Sequence, residues 1–169
     1  MAALETALAA AIATIACMHM QGTTELVVEG CNVHVRSGGG ATDAAVNGVG
    51  NLVIGYNQSN RFGVVRTGSH NVVVGPRHTY SSCGGLVAGE DNTVTGPFAS
   101  VSGGRENTAS GKSATVSGGA NSGASGAQAS VSGGFFSTAS GNFASVSGGN
   151  GRSATGAGSW AAGSLFEDF

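Results

Sequence analysis

From residue 97 onward apolar and hydroxyl-bearing positions alternate in short bursts: Ala99-Ser100-Val101-Ser102, Ala114-Thr115-Val116-Ser117, Ala129-Ser130-Val131-Ser132 and Ala144-Ser145-Val146-Ser147. A period of two marks a strand with one buried face, so each burst predicts Ala and Val on one side and hydroxyls on the other. A shorter burst around Ala109, Ala124, Ala139 and Ala154 predicts a second strand per unit. The units repeat every fifteen residues, from PFASVSGGRENTASG through NFASVSGGNGRSATG. Between the bursts lie Gly103-Gly104 and its equivalents and the single glycines Gly111, Gly126, Gly141 and Gly156. These are expected to form the corners, because glycine enters positive φ without steric cost. Strands and corners at a fixed short period predict an all-β chain, a parallel β-solenoid with coils of about fourteen to fifteen residues.

The pattern continues upstream with larger side chains. Leu86 lies fifteen residues before Val101 and is assigned to its slot, and Val94 is assigned to that of Ala109. Asn71 to Gly75 sits one coil earlier at a spacing of fourteen, and Asn51 to Gly55 twenty residues before that, so residues 56–66 read as an insertion. The roll is therefore placed at 46–163, preceded by transition strands at 21–45. Its filling should taper from Leu, Val and Ile to Ala, Val and Ser.

Both ends of the chain carry apolar segments of a different kind. Met1, Leu4, Leu8, Ala11, Ile15 and Met18 fall at the a and d positions of a heptad, which predicts a short coiled-coil helix over 1–20 that favours three strands at least as much as two. A secretory signal with its apolar core at Ala9 to Cys17 competes with that reading, but the region before it holds Glu5 and no lysine or arginine. The tail at 164–169 places Leu165, Phe166 and Phe169 together. It reads either as a plug on the last coil or as an end-to-end contact with another copy, and the second kind of contact does not close and runs on into a fibre.

Composition changes this picture in two ways. Thirty-one glycines in 169 residues would ordinarily indicate a linker, yet their strict spacing argues for an ordered stack. The valine and two alanines that a coil offers also recover far less than the entropy of ordering fifteen residues. A second buried face is therefore expected, supplied by further copies of the same chain in a homotrimer. The formal charge of −2, with Lys112 as the single lysine and six scattered arginines, leaves no basic stripe for nucleic acid. No stretch is long enough to span a bilayer as a helix, so no membrane insertion is expected.

Candidate chemistry is sparse. His19, His34, His70 and His78 have no carboxylate or serine set recurring at catalytic spacing, so no enzyme, catalytic residue or cofactor is expected. Cys17-Met18-His19-Met20 has ligand character, but core filling fits it better than a metal site. Calcium turns of the glycine-rich kind need an aspartate per repeat, and residues 96–163 contain none. Three cysteines allow at most one intrachain pair, with Cys31 and Cys83 conceivable partners.

The segment Asn107-Thr108-Ala109-Ser110-Gly111-Lys112-Ser113-Ala114-Thr115-Val116-Ser117-Gly118-Gly119 resembles the head repeats of trimeric autotransporter adhesins. The resemblance implies a left-handed parallel β-roll with three chains side by side, joined to coiled-coil stalks. In this chain the helical segment precedes the roll and no β-barrel anchor follows Phe169, so the expectation is a rod, an appendage or the subunit of a polymer. Three functions fit. The leading one is a non-enzymatic trimeric rod, part of an extracellular filament or an adhesin-like module at a cell surface, whose partner is itself. The second is a phage tail-fibre receptor-binding module with its tip in the insertion at Asn57, Asn60, Arg61 and Phe62. The third is an ice-binding protein using the ladder Ser100/Ser102, Thr115/Ser117, Ser130/Ser132 and Ser145/Ser147. Phe135, Phe136 and Phe143 are expected to pack along coil edges.

Overall fold

The computed structural model describes residues 5–6, 17–59 and 63–163. The chain divides into two compact units, Met1–His34 and Val35–Phe169.

The first unit contains an antiparallel hairpin of β1 (Met18–Gln21) and β2 (Glu25–Val28), with Met18 opposite Val28 and Gln21 opposite Glu25. A disulfide between Cys17 and Cys31, with Cα atoms 6.0 Å apart, closes its open end. Beside it the Glu29 N–H donates to the Cys17 carbonyl at 2.9 Å. Two expectations are corrected here. Met18 belongs to a strand and not to a heptad, because pairing with β2 satisfies the backbone of residues 18–21. Cys31 pairs with Cys17 and not with Cys83, because the hairpin register brings the two flanking residues together, while Cys83 is a buried free thiol of the second unit. Glu5 and Thr6 are helical. Leu4, Leu8, Ala11 and Ile15, like Leu165, Phe166 and Phe169, lie outside the described residues.

The second unit is a parallel β-solenoid. Its strands β3 to β16 are, in order, Leu52–Ile54, Val72–Val74, Thr79–Tyr80, Leu86–Ala88, Thr93–Val94, Ser100–Val101, Thr108–Ala109, Thr115–Val116, Gly123–Ala124, Ser130–Val131, Thr138–Ala139, Ser145–Val146, Ser153–Ala154 and Trp160–Ala161. One sheet has eight strands in the order β3-β4-β6-β8-β10-β12-β14-β16, and the other six in the order β5-β7-β9-β11-β13-β15. Single bridges from Glu90 through Arg105, Ala120 and Phe135 to Asn150 form a further narrow ladder between the sheets.

The period-two pattern explains what fills the bore. Ala99, Val101, Ala109, Ala114, Val116, Ala124, Ala129, Val131, Ala139, Ala144, Val146 and Ala154 are each at most 2% exposed, and Val73, Tyr80, Val87 and Val94 continue the core into the earlier, bulkier coils. The chain buries these columns inside its own coils. Leu86 departs from the expected slot: it pairs with Ser100 and points outward, while Val87 pairs with Val101 and is buried. The spacing at this strand is fourteen, whereas Val94 and Ala109 keep fifteen. A one-residue slip exchanges the two faces of a strand, and here it does so for Leu86 and Val87.

The glycines divide by cause. Gly104 (φ 77°), Gly119 (86°) and Gly134 (100°) do turn corners in the left-handed region. Gly111, Gly126 and Gly141 do not, and glycine is required there because a Cβ would overlap the carbonyl of the equivalent glycine one coil on. Gly118 and Gly133 meet neither constraint, since their φ is ordinary and a Cβ would find open space. The other left-handed corners are held by larger residues: Ser113, Gln128 and Phe143 in one column, Glu106, Asn121 and Phe136 in another. Such a conformation costs about 1–2 kcal/mol per residue. It aims each N–H along the stack, where Ser113, Gln128 and Phe143 donate to Pro97, Lys112 and Ala127 at 2.8 Å, and those bonds offset the cost.

Candidate functional site

A solenoid of this kind has three places for function: the column of polar groups inside it, and the outer faces of its two sheets.

The inner column begins at Asn57, which is 3% exposed, and runs through His78, Asn92, Asn107, Ser122 and Ser137, each at most 2% exposed. Every member caps the backbone of the next. Asn57 Oδ1 accepts the His78 N–H at 3.1 Å, and His78 Nδ1 accepts that of Asn92 at 3.2 Å. Asn92 Oδ1 accepts that of Asn107 at 2.8 Å, Asn107 Oδ1 that of Ser122 at 3.0 Å, and Ser122 Oγ that of Ser137 at 3.2 Å. The amide nitrogens also donate: Asn107 Nδ2 reaches the Gly103 and Gly119 carbonyls at 3.3 and 3.0 Å. A buried N–H without a partner is costly, so this column keeps the coils in register without an apolar contact. The sequence signal was a polar residue at 78, 92, 107, 122 and 137. The signal is weak because the slot changes from His to Asn to Ser along the stack.

His78 is the member that titrates. Its Nε2 donates to the Val74 carbonyl at 3.0 Å while Nδ1 accepts from Asn92, which fixes the neutral Nε2–H tautomer. Burial holds the imidazole below its ordinary value, although the Val74 bond and the Asp91 charge push the other way. A proton on Nδ1 would face the Asn92 N–H, donor against donor. The unfolded chain therefore binds more protons than the folded one once pH drops below about 6.5, and stability falls from there down through the depressed folded value. Urea midpoints measured from pH 8 to pH 5 should decline in that window, and His78→Asn, which repeats the solution at Asn92, should flatten the decline.

The eight-stranded sheet turns Leu52, Ile54, Val72, Val74, Leu86 and Ala88 outward in its early coils. Leu52 is 48% and Ile54 53% exposed. Ser100/Ser102, Thr115/Ser117, Ser130/Ser132 and Ser145/Ser147 follow on the same face, and Trp160 ends the row opposite Ser145. Hydroxyls here bond to one another and to the chain: Ser130 lies 3.1 Å from Ser145, and Trp160 Nε1 donates to Ser147 Oγ at 2.8 Å.

The six-stranded sheet is different. One outward column reads Thr79, Thr93, Thr108, Gly123, Thr138, Ser153, and the column beside it Ser81, Thr95, Ser110, Ser125, Ser140, Thr155. Every position but Gly123 carries a hydroxyl. The sequence signal for this second array is weak, because most of its strands show a single apolar residue, such as Ala109, between two hydroxyls.

The remaining residues of interest fall elsewhere. In the insertion Tyr56 is 96% exposed, whereas Asn57 is committed to the inner column and Arg66 holds the loop through Asn57 Oδ1 and the Gln58 carbonyl at 3.3 and 3.1 Å. Asn60, Arg61 and Phe62 lie outside the described residues. His70 accepts the Ser37 N–H on Nε2 at 3.0 Å, and its Nδ1 lies 3.2 Å from the Thr42 carbonyl, which gives it a structural post. Arg77 forms ion pairs with Glu90 and Asp91 on the coil edge. Phe135 and Phe136 pack together with their rings tilted by 60° and centroids 4.2 Å apart, and Phe143 is 63% exposed. Cys17 is taken by its disulfide, and among the described residues no three His, Cys, Asp or Glu side chains converge as a metal set. Among the same residues no helix is long and apolar enough to cross a membrane.

Comparison with known protein families, curated proteins and solved structures finds no match to this chain.

Proposed function

We propose that the chain is a non-enzymatic structural protein whose solenoid serves as the shaft of a homotrimeric rod, acting outside the cell as the subunit of a filament or as an adhesin-like surface module. The observation that carries this reading is the repetition itself: from β8 to β16 each coil pairs with the next in unchanged register, and the interior is filled by small side chains and backbone-capping polar groups. Such an interior is suited to holding a shape. Among the described residues the titratable groups are spoken for by ion pairs or backbone contacts, or stand apart from one another.

The lateral contact between chains is assigned to the outward apolar strip of β3, β4 and β6. The Ala and Val columns are consumed within one chain, whereas Leu52, Ile54 and Val72 stand together on one strand face and are exposed, which makes them the surface for a sister chain to cover. A contiguous apolar patch on a polar-rimmed sheet is the usual sign of such a contact. The Cys17–Cys31 disulfide supports an oxidising compartment, in keeping with an extracellular site.

Solution mass by light scattering, with negative-stain microscopy, tests this. A three-chain mass and slender particles that lengthen with concentration are expected. Replacing Leu52 and Leu86 by lysine should shift the mass toward one chain without loss of the β-sheet circular dichroism signal. A wild-type protein that is monomeric at micromolar concentration would end the trimer reading.

A further inference from the structure

We propose that the outer face of the six-stranded sheet is an ice-binding surface. Four observations converge on it. The face is chemically uniform: its two columns, from Thr79 to Ser153 and from Ser81 to Thr155, carry hydroxyls at every position but Gly123 and no charge. It is periodic along both axes, because coils stack without offset. Neighbours within a column stand about 4.7–4.9 Å apart, and the two columns about 6.6–6.8 Å apart across each strand. It is held rigid, since the strands beneath it are bonded to the next coil, as in Thr108 N–H to Ser122 and Ser110 N–H to Ala124, both at 2.9 Å. Its hydroxyls are also uncommitted: among the described residues none of them makes a side-chain hydrogen bond to the protein, in contrast to Ser130, Ser145 and Ser147 on the opposite sheet.

The shape decides the class of partner. A small soluble ligand is held by a concave pocket that buries most of its surface, and this face is the outer surface of a continuous six-stranded sheet. A protein partner is anchored by large apolar or arginine side chains, and the face has neither. A neutral array that repeats in two directions matches a partner with a lattice of its own. Ice is such a partner: its faces are uncharged rows of oxygen, each able to give and take hydrogen bonds as a hydroxyl does. Threonine suits the task because its χ1 is stiff and its methyl sits beside the hydroxyl, so apolar hydration and hydrogen bonding order water at the same spacing. The sequence pattern pointed to the serine ladder of the eight-stranded sheet for this role. That ladder is interrupted by Leu86 and Ala88 at one end and Trp160 at the other, and part of it is satisfied internally.

The test is thermal hysteresis and ice-crystal shaping by the full-length chain, with variants on each face. The wild type is expected to shape ice and depress its growth temperature. Thr108→Tyr with Thr138→Tyr should abolish the effect, whereas Ser117→Tyr with Ser132→Tyr on the opposite sheet should leave it intact. Gly123→Thr should strengthen it by closing the gap in the column; a Cβ there meets only the Thr108 carbonyl oxygen, at 4.0 Å. Circular dichroism and solution mass accompany each variant. Unshaped ice with the wild type overturns the proposal, as does full activity in the Thr108/Thr138 pair or no gain from a folded Gly123→Thr. A change in oligomeric mass caused by the Thr108/Thr138 pair also overturns it, because the face would then be a contact between chains. The rod reading is judged separately, by the wild-type mass.

Discussion

Gly126→Val abolishes folding of the solenoid or lowers its stability by about 3 kcal/mol or more, an effect of the size reserved for overpacking that nothing can relax. The reason is axial. Gly126 lies directly beneath Gly141 of the next coil, and a Cβ would fall on the Gly141 carbonyl and come within 2.9 Å of the Asn142 nitrogen. These are backbone atoms of a neighbouring coil, fixed by hydrogen bonds above and below, so no rotamer change opens room. Even Gly126→Ala is expected to be severe, since the first carbon already makes the clash. Gly118→Ala is the matched control. Its Cβ meets nothing within 4 Å and its φ is ordinary, so the change should stay within about 0.5 kcal/mol. Urea melts followed by circular dichroism distinguish the two. Equal effects at the two glycines would mean that the coils are not stacked as described.

Asn107→Leu carries the second large effect, a loss of roughly 2–4 kcal/mol. Leucine is close to asparagine in size, so the damage is not a void. It removes the acceptor for the buried Ser122 N–H and strips the Asn107 amide's bonds to the part-buried Gly103 and Gly119 carbonyls, and a buried group left unpaired costs about 1–3 kcal/mol. Asn107→Ser should recover much of the loss, because Ser122 already performs the same duty with its hydroxyl for Ser137. Amide exchange at Ser122 gives the direct readout. Strong acceleration in the leucine variant and mild acceleration in the serine variant are expected, and identical rates in the two would show that the column does not hold the coils.

These expectations show how legible the molecule was. The alternation at Ala99-Ser100-Val101-Ser102 and its copies placed each residue on its face correctly, since period two is a local property of an extended chain. The same local reading misplaced Leu86. Counting back fifteen from Val101 ignores that one half of that coil is a residue shorter, and only the pairing of Val87 with Val101 reveals it. The glycines were recognised as necessary but partly for the wrong cause: turning a corner is a local demand, whereas the demand on Gly126 comes from a carbonyl fifteen residues away. Phe136 and Phe143 hold left-handed corners that the glycine pattern does not mark, because a hydrogen bond to the preceding coil offsets their strain.

The amino-acid sequence by itself determined the period, the all-β solenoid class and the inward Ala and Val columns, since each follows from the spacing of side-chain types along an extended strand, whereas the Leu and Ile expected to fill the early bore face outward. The tertiary structure alone decided which polar groups turn inward to cap the next coil, that Cys17 meets Cys31 across a hairpin, and that the valine columns are buried by the chain's own coils. It also decided that the uncommitted hydroxyl face belongs to the second sheet. These are relations between residues on successive coils or facing strands, set by axial stacking and by which backbone groups are left to satisfy, and no local pattern encodes a distance between coils.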